Sequence, residues 1–201
     1  MILLALGKLL PAGAQGGTLD RVILVDEDDR EIGTEEKIAA HLDGGRLHRA
    51  ISIFVFNSRG ELLLQRRQTT KYHFAGLWSN TCCSHPRPGE SVAEVSERRL
   101  REEMGISAPI KEVRTFIYKA TDRRSSLSEH ELVHLIVGQT DSNPEPDSKE
   151  VDDWTWMSLD ELKKDLTANP SVYTPWFPIG LSLLGPGDSA PRDRPRVRRG
   201  R

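Results

Sequence analysis

The chain has 201 residues and a formal charge of −2, with 37% hydrophobic and 29% charged residues, enough for one globular domain with a proper core and hardly enough for two. The near-neutral balance excludes a chain built wholesale for nucleic acid, and no stretch approaches the ~18 apolar residues of a membrane span. The two cysteines, Cys82 and Cys83, are adjacent, which excludes a disulfide framework because sequence neighbours rarely reach bridging geometry.

The chain opens with "MILLALGKLLPAGAQ". Ala12-Gly13-Ala14 has the shape of a signal-cleavage site, but there is no basic leading segment and Lys8 cuts the apolar run short. Residues 1–20 are therefore expected to be a flexible extension on a cytoplasmic protein. "RVILVDEDDREIG" reads as a strand, an acidic turn and a return, and "TEEKIAAHL" as a short helix capped by Thr34 and ended by Gly44-Gly45. "LHRAISIFVFNSRGELLLQRR" reads as two strands around the hairpin signal "NSRG". "NTCCSHP" is an extended segment. "SVAEVSERRLREEMG" is the clearest helix: Ser91 and Glu94 form a capping box, Val92, Val95, Leu100 and Met104 recur at helical spacing, and Gly105 stops it.

Beyond it, "EVRTFIYKA" and "ELVHLIVGQ" read as strands and "DSNPEPDSKEVDD" as a polar connection. "WTWM" reads as a short strand, and "SLDELKKDL" as a helix capped by Ser158. The last stretch, "GPGDSAPRDRPRVRRGR", holds six Arg against Asp188 and Asp193, a net of +4 that leaves −6 for the rest. Such a run cannot bury apolar surface, so residues 185–201 are expected to be a disordered tail, with an arm for an anionic surface as the alternative. Strands flanked by a few helices without regular alternation predict one α+β domain over residues 21–184, a mixed α/β sandwich.

Three stretches carry candidate chemistry. On the helix, Glu102 and Glu103 stand one turn past Arg98 and Arg99. Clustered carboxylates hold hard divalent cations through oxygen, although Glu–Arg pairs at i,i+4 equally make an ordinary solvated helix. On the extended "NTCCSHP", the two-residue period puts Cys83 and His85 on one face and Cys82 on the other; either thiol taken alone reads as readily as buried and inert. The same period groups Glu129 with Glu131 in "EHE" and turns His130 away.

Glu90, Arg98, Leu100, Glu102, Glu103, Gly105 and Ile106 are similar to the Nudix box, in which a glycine precedes a glutamate-rich helix that holds Mg²⁺ against a diphosphate. Ser84 stands where the box has its opening glycine, and Arg99 where it has a glutamate. Exchanging a carboxylate for a guanidinium weakens a metal site and adds a phosphate-binding group, so the box looks retuned to grip a diphosphate without cutting it. With "AAHLDGGRLH", "NTCCSHP", "EHE" and "YTPW" in this order, the chain from about Val22 to Leu184 resembles the type I isopentenyl-diphosphate isomerases.

That resemblance implies a Nudix-like mixed-sheet α/β/α sandwich that interconverts isopentenyl and dimethylallyl diphosphate. It implies Cys83 and Glu131 as the proton-transfer pair, Tyr118 hydrogen-bonded to the glutamate, and Trp176 closing over the carbon chain. His41, His48, His85, Glu129 and Glu131 would hold one Mn²⁺, Zn²⁺ or Mg²⁺, and Glu103 a Mg²⁺ that bridges to the substrate diphosphate. Lys37, Arg67, Lys71 and Arg99 would anchor that diphosphate. The expected partner is a small prenyl diphosphate, with no nucleic acid, stable membrane association or obligate protein partner. The rivals are a Nudix pyrophosphohydrolase, opposed by Arg99, and a non-enzymatic module on the same fold, opposed by the intact cysteine, glutamate, tyrosine and tryptophan set.

Overall fold

The computed structural model describes residues 20–185 together with 187 and 188; the expectations for residues 1–19 and for most of the arginine-rich tail lie outside the described residues. The axis of the fold is β3 (His48–Phe56). Ala50, Phe54 and Phe56 enter one apolar cluster, and Ile51, Ile53 and Val55 enter another. A strand buried on both faces reads as a continuous apolar run, as "AISIFVF" does.

Along one edge of β3 lies β8 (Ser128–Gln139), parallel to it from the His48–Glu131 pair to the Phe56–Gln139 pair. The other edge is shared by three strands. Leu24 of β1 (Arg21–Val25) pairs with His48, Cys82 to Ser84 of β6 (Cys82–Ser84) pair with Ile53 to Ile51, and Leu62 of β4 (Leu62–Arg67) pairs with Phe56. β2 (Glu31–Glu36) extends the sheet beyond β1, and β7 (Ile110–Thr121) beyond β8. β5 (Trp78–Ser79) and β9 (Val151–Met157) pair with β4. The sheet is mixed, and no purely local rule would have set its order.

One face is covered by α2 (Val92–Met104), whose Val95, Leu100 and Met104 cluster with Ile51, Ile53 and Cys82. The other is covered by α3 (Leu159–Ala168) and α4 (Trp176–Leu183), with Leu162, Trp176 and Phe177 in the cluster of Phe54 and Leu135. This is the expected α/β/α sandwich. The capping box of α2 is formed by Ser91 and Glu94, a device that contributes about 1 kcal/mol. Its last turn ends on Gly105 at φ 65°, where a Cβ would stand 2.3 Å from the Glu145 carbonyl oxygen; only glycine fits there.

Several expected boundaries move: β7 begins at Ile110 and β8 at Ser128, ahead of Glu112 and Glu131. β2 continues through Thr34, which pairs with Ile23, so α1 (Lys37–His41) is capped by Glu36, whose carboxylate accepts the Ala39 N–H at 2.9 Å. Ladder hydrogen bonds to β1 outweigh a local Thr cap. β9 begins at Val151 and not at Trp154, because Val151 and Asp153 pair with Arg67 and Arg66 of β4, with a bulge between them. The helix ends on Leu42, whose N–H returns to the Ala39 carbonyl, two residues before the Gly44-Gly45 expected to stop it; His48 lies on a strand as expected. A Cβ at Gly45 would come 2.7 Å from the Ser128 carbonyl oxygen, so this glycine lets the His41–His48 loop lie directly against the start of β8.

Candidate active site

His48, Ser52, Ala50 and Phe54 share the α4-facing side of β3, and by the same alternation Glu129, Glu131, Val133 and Leu135 share that side of β8. On this side a cavity of about 270 Å³ is lined by Lys37, Arg67, Lys71, Tyr72, His73, Cys83, His85, Arg99, Glu103, Tyr118, Glu129, Glu131 and Trp176, among others. All the predicted site residues except His41 and His48 line it, and those two lie directly behind it against Glu129 and His85.

The three histidines and two carboxylates come together. One ligand atom from each of His41, His48, His85, Glu129 and Glu131 lies within 4.8 Å of the others. His41 Nδ1 lies 2.6 Å from the Lys37 carbonyl, and His48 Nδ1 lies 2.7 Å from the Arg46 carbonyl. A carbonyl only accepts, so Nδ1 carries a proton in both rings, and the nitrogen each turns inward is Nε2, the atom a neutral imidazole offers to a metal. Burial, then neighbouring His41, pushes His48 down to about 4. Burial, then His48, pushes His85 well below its ordinary value. His48 and His85 are thus neutral at physiological pH, the form in which imidazole ligates metal.

His48 Nε2 stands 3.1 Å from His85 Nε2, which is 2.7 Å from Glu131 Oε1. His41 Nε2 and Glu129 Oε2 are 2.9 Å apart, yet both are buried without a hydrogen bond. Buried polar atoms in native proteins nearly always have partners, and an inward-facing set of lone pairs fits a divalent cation. The chemistry of the donors, imidazole nitrogen with carboxylate oxygen, suits Zn²⁺, Mn²⁺ or Mg²⁺.

Cys83 and Cys82 divide as the two-residue period predicts. Cys82 is fully buried among the residues packed under α2. Cys83 faces the cavity, where its Sγ lies 3.4 Å from Ser52 Oγ and donates to Asn80 Oδ1 at 3.2 Å. Burial pushes the Cys83 thiol up to about 11, against the pull of the Ser52 and Asn80 hydrogen bonds, so it is protonated at neutral pH. Across the cavity, Tyr118 donates its hydroxyl proton to Glu131 Oε2 at 2.7 Å, from the position on β7 paired with Glu131. Burial, then the Glu129 carboxylate, raises Glu131 well above the ordinary carboxylate range. Glu129 is instead held well below it: burial opposes its charge, but His41 and His73 outweigh burial. The two carboxylates thus differ in kind.

Trp176 starts α4 and is anchored by its indole N–H on Ser79 Oγ at 3.1 Å. Phe74 meets it edge-on at 5.2 Å, Tyr118 lies at 5.9 Å, and the Arg67 guanidinium stands 5.5 Å from its ring. This is an aromatic wall with a fixed orientation.

The cationic residues line the cavity, and each is already engaged. Arg99 pairs with Glu102 at 2.6 Å, with Glu150 at 3.2 Å and with Glu103. Lys71 also pairs with Glu150. Arg67 uses two N–H groups on the carbonyls of Phe74 and His73 at 3.1 Å. Lys37 lies 5.5 Å over the Tyr72 ring. Glu103 is buried and receives the Gln65 amide at 3.3 Å as well as Arg99. Glu103 is thus one buried carboxylate among the cationic residues of the cavity, and Mg²⁺ commonly binds through one or two carboxylates plus substrate phosphates.

Reading the sequence missed Glu150, which ties two cationic anchors together, and Lys149 beside it; both line the cavity. It also missed Asn80 and Ser52, which hold the Cys83 thiol, and His73, which bonds Glu129. Glu150 sits inside a stretch read as a polar connection, and nothing local distinguishes it from its acidic neighbours. Ser52 could have been found: it is the one hydroxyl in the apolar run of β3.

Residues 46–177 match the model of the NUDIX domain. The isopentenyl-diphosphate Delta-isomerase of Halorhodospira halophila is 50% identical over 160 residues, covering 79% of this chain and 91% of that one. Isopentenyl-diphosphate Delta-isomerase 1 of Aromatoleum aromaticum is 52% identical over 158 residues (79% and 88%), and the Nocardia farcinica isopentenyl-diphosphate Delta-isomerase 44% over 162 residues (81% and 93%). Among solved structures, a Deinococcus radiodurans protein superposes with a TM-score of 0.66 at 19% identity over 81% of this chain and 98% of that one. A MutT protein from Methanosarcina mazei reaches 0.56 at 20% identity (68% and 91%). At these identities the structural likenesses speak for the fold alone.

Proposed function

The chain belongs to the isopentenyl-diphosphate Delta-isomerases of the NUDIX-domain family, and from that premise we propose how its residues interconvert isopentenyl and dimethylallyl diphosphate. The observation that carries the reading is one cavity lined by both Cys83 and Glu131, which come from strands on opposite edges of β3, with Trp176 beside them.

Moving an unactivated double bond requires a proton added at the terminal carbon and another removed two carbons along, with a tertiary cation between. One group must therefore hold a proton and its opposite number accept one. The Cys83 thiol and the Glu131 carboxyl serve as that pair. Tyr118 keeps Glu131 oriented through its hydroxyl and offers a short path for its proton. The Trp176 face, backed by Phe74, excludes water that would capture the cation. A tryptophan face also stabilises a desolvated cation by about 0.5–2 kcal/mol. A divalent cation held by His41, His48, His85, Glu129 and Glu131 would orient Glu131 and set its acidity.

Lys37, Arg67, Lys71 and Arg99 receive the diphosphate, and Glu103 would hold a Mg²⁺ that neutralises its charge. Arg99 supports grip over cleavage: its ion pairs with Glu102 and Glu103 place a cation among the carboxylates that a hydrolase would use for metal. A working free thiol needs a reducing compartment, which supports a cytoplasmic protein. Incubation with isopentenyl diphosphate and Mg²⁺ in D₂O, followed by NMR, tests the reading. Dimethylallyl diphosphate with deuterium in its methyl group is expected; release of inorganic phosphate in place of it would refute the mechanism.

A further inference from the structure

The two oxygens of the Glu129 carboxylate keep different company. Oε2 faces His41 Nε2 at 2.9 Å and has no hydrogen bond, whereas Oε1 is taken by Nε2 of His73. We propose that His73 is a positioning residue of the metal centre, whose Nε2–H fixes the Glu129 carboxylate so that Oε2 is the oxygen presented to the cation. The inference rests on reading His41, His48, His85, Glu129 and Glu131 as a divalent-metal site.

Four observations support it. A carboxylate only accepts, so Nε2 of His73 is the donor, and a neutral ring then leaves Nδ1 a bare acceptor. That Nδ1 is buried with no partner, an uncommon condition, so the ring is kept for what its other nitrogen does. The backbone around it is clamped from behind. Arg67 donates to the carbonyls of His73 and Phe74, Asp122 accepts the Phe74 N–H at 2.9 Å, and Phe74 is held at φ 46°, a conformation that costs a bulky residue free energy.

From outside, the Tyr72 ring stacks on His73 with centroids 4.3 Å apart and shields the bond from water. Finally, His73 stands apart from the five converging ligands and reaches only the outer oxygen of one of them. A partner of this kind orients a ligand without ligating, and its loss commonly weakens metal binding by roughly 10–100-fold.

The test uses the full chain, stripped of metal and titrated with Mn²⁺ alone against a chromophoric chelator. His73→Leu is expected to raise the Mn²⁺ Kd roughly 10–100-fold. His73→Gln, whose amide N–H reaches the same oxygen, should stay within about threefold of wild type, as a retained hydrogen bond requires. His73→Asn, too short to reach Oε1, is expected to lose affinity as the leucine variant does, and keeps the test open if leucine prevents folding. In a Glu129→Gln background, His73→Leu should change the Kd no further, because the two act as one unit. An unchanged Kd in both His73→Leu and His73→Asn overturns the proposal, as does an equal loss in His73→Gln. Failure of the wild-type protein to bind Mn²⁺ or any other divalent ion overturns the metal-centre reading itself.

Discussion

Replacing the two cysteines one at a time separates a catalytic thiol from a packing thiol, because the structure gives them opposite surroundings one residue apart. Cys82 is fully buried under α2, and Cys82→Ala removes one buried heavy atom from an apolar cluster. By comparison with Ile→Val changes in cores, that costs about 1 kcal/mol, or about 2–4 °C of melting temperature for a domain of this size. The variant loses nothing that touches substrate, so activity per folded molecule is unchanged. Cys83→Ala is the reverse case. The side chain is half-buried; its partner Asn80 Oδ1 still receives the Ser79 hydroxyl at 3.1 Å, but the buried Ser52 hydroxyl loses its 3.4 Å contact with Sγ, so stability falls by about 1–3 kcal/mol. Its proposed proton-transfer role is gone, however, and general acid–base groups contribute about 10²–10⁴ in rate. The assay is kcat/KM for isopentenyl diphosphate alongside thermal melting of each variant. Full turnover in Cys83→Ala, or an equal loss per folded molecule in Cys82→Ala, would refute the assignment.

Tyr118→Phe removes the 2.7 Å bond to Glu131 Oε2 but keeps the ring; kcat should fall by about 10–100-fold, the worth of a hydrogen bond to a charged or charge-developing group, with KM little changed. Stripping divalent metal by dialysis against a chelator should lower the melting temperature. Re-addition to 100 times Kd should restore about 2.7 kcal/mol, and a melting temperature indifferent to Mn²⁺, Zn²⁺ and Mg²⁺ would count against the metal centre. Glu150 supplies a pH test. Burial raises its pKa, but Lys71 and then Arg99 pull it below its ordinary value of 4.5. Its contribution, about 1 kcal/mol for such a partly exposed pairing, is therefore fully present above pH ~4.5 and lost as pH falls through the depressed folded-state value. The stability gap between wild type and Glu150→Gln should close below that pH in urea titrations, and a gap that persists at pH 2 would refute the pairing.

Where the sequence could be read, it was read from interactions that span few residues. The α2 capping box is written in Ser91 and Glu94, three residues apart, and its stop in Gly105. The division of Cys82 from Cys83, and of His130 from its flanking glutamates, follows from a two-residue period that any strand imposes. Where reading failed, a distant partner decided. Thr34 has the chemistry of an N-cap, but pairing with Ile23 drew it into β2 and passed the cap to Glu36. Glu150 and His73 carry no local mark of their roles, because each acts on residues 50 or more positions away, Arg99 and Glu129 respectively.

The sequence alone determined which residue types stand on which face of each strand and helix, and, through the order of its motifs, which family the chain resembles. Only the tertiary structure decided that His41, His48 and His85 meet Glu129 and Glu131. That convergence depends on the parallel register of β8 on β3 and the antiparallel register of β6 on the opposite edge. Side-chain direction follows from local backbone geometry, but strand register is a collective choice. Slipping β8 by one residue would turn both glutamates to the other face of the sheet. The apolar residues on both faces of β3 and β8 hold the register that brings the polar ones together.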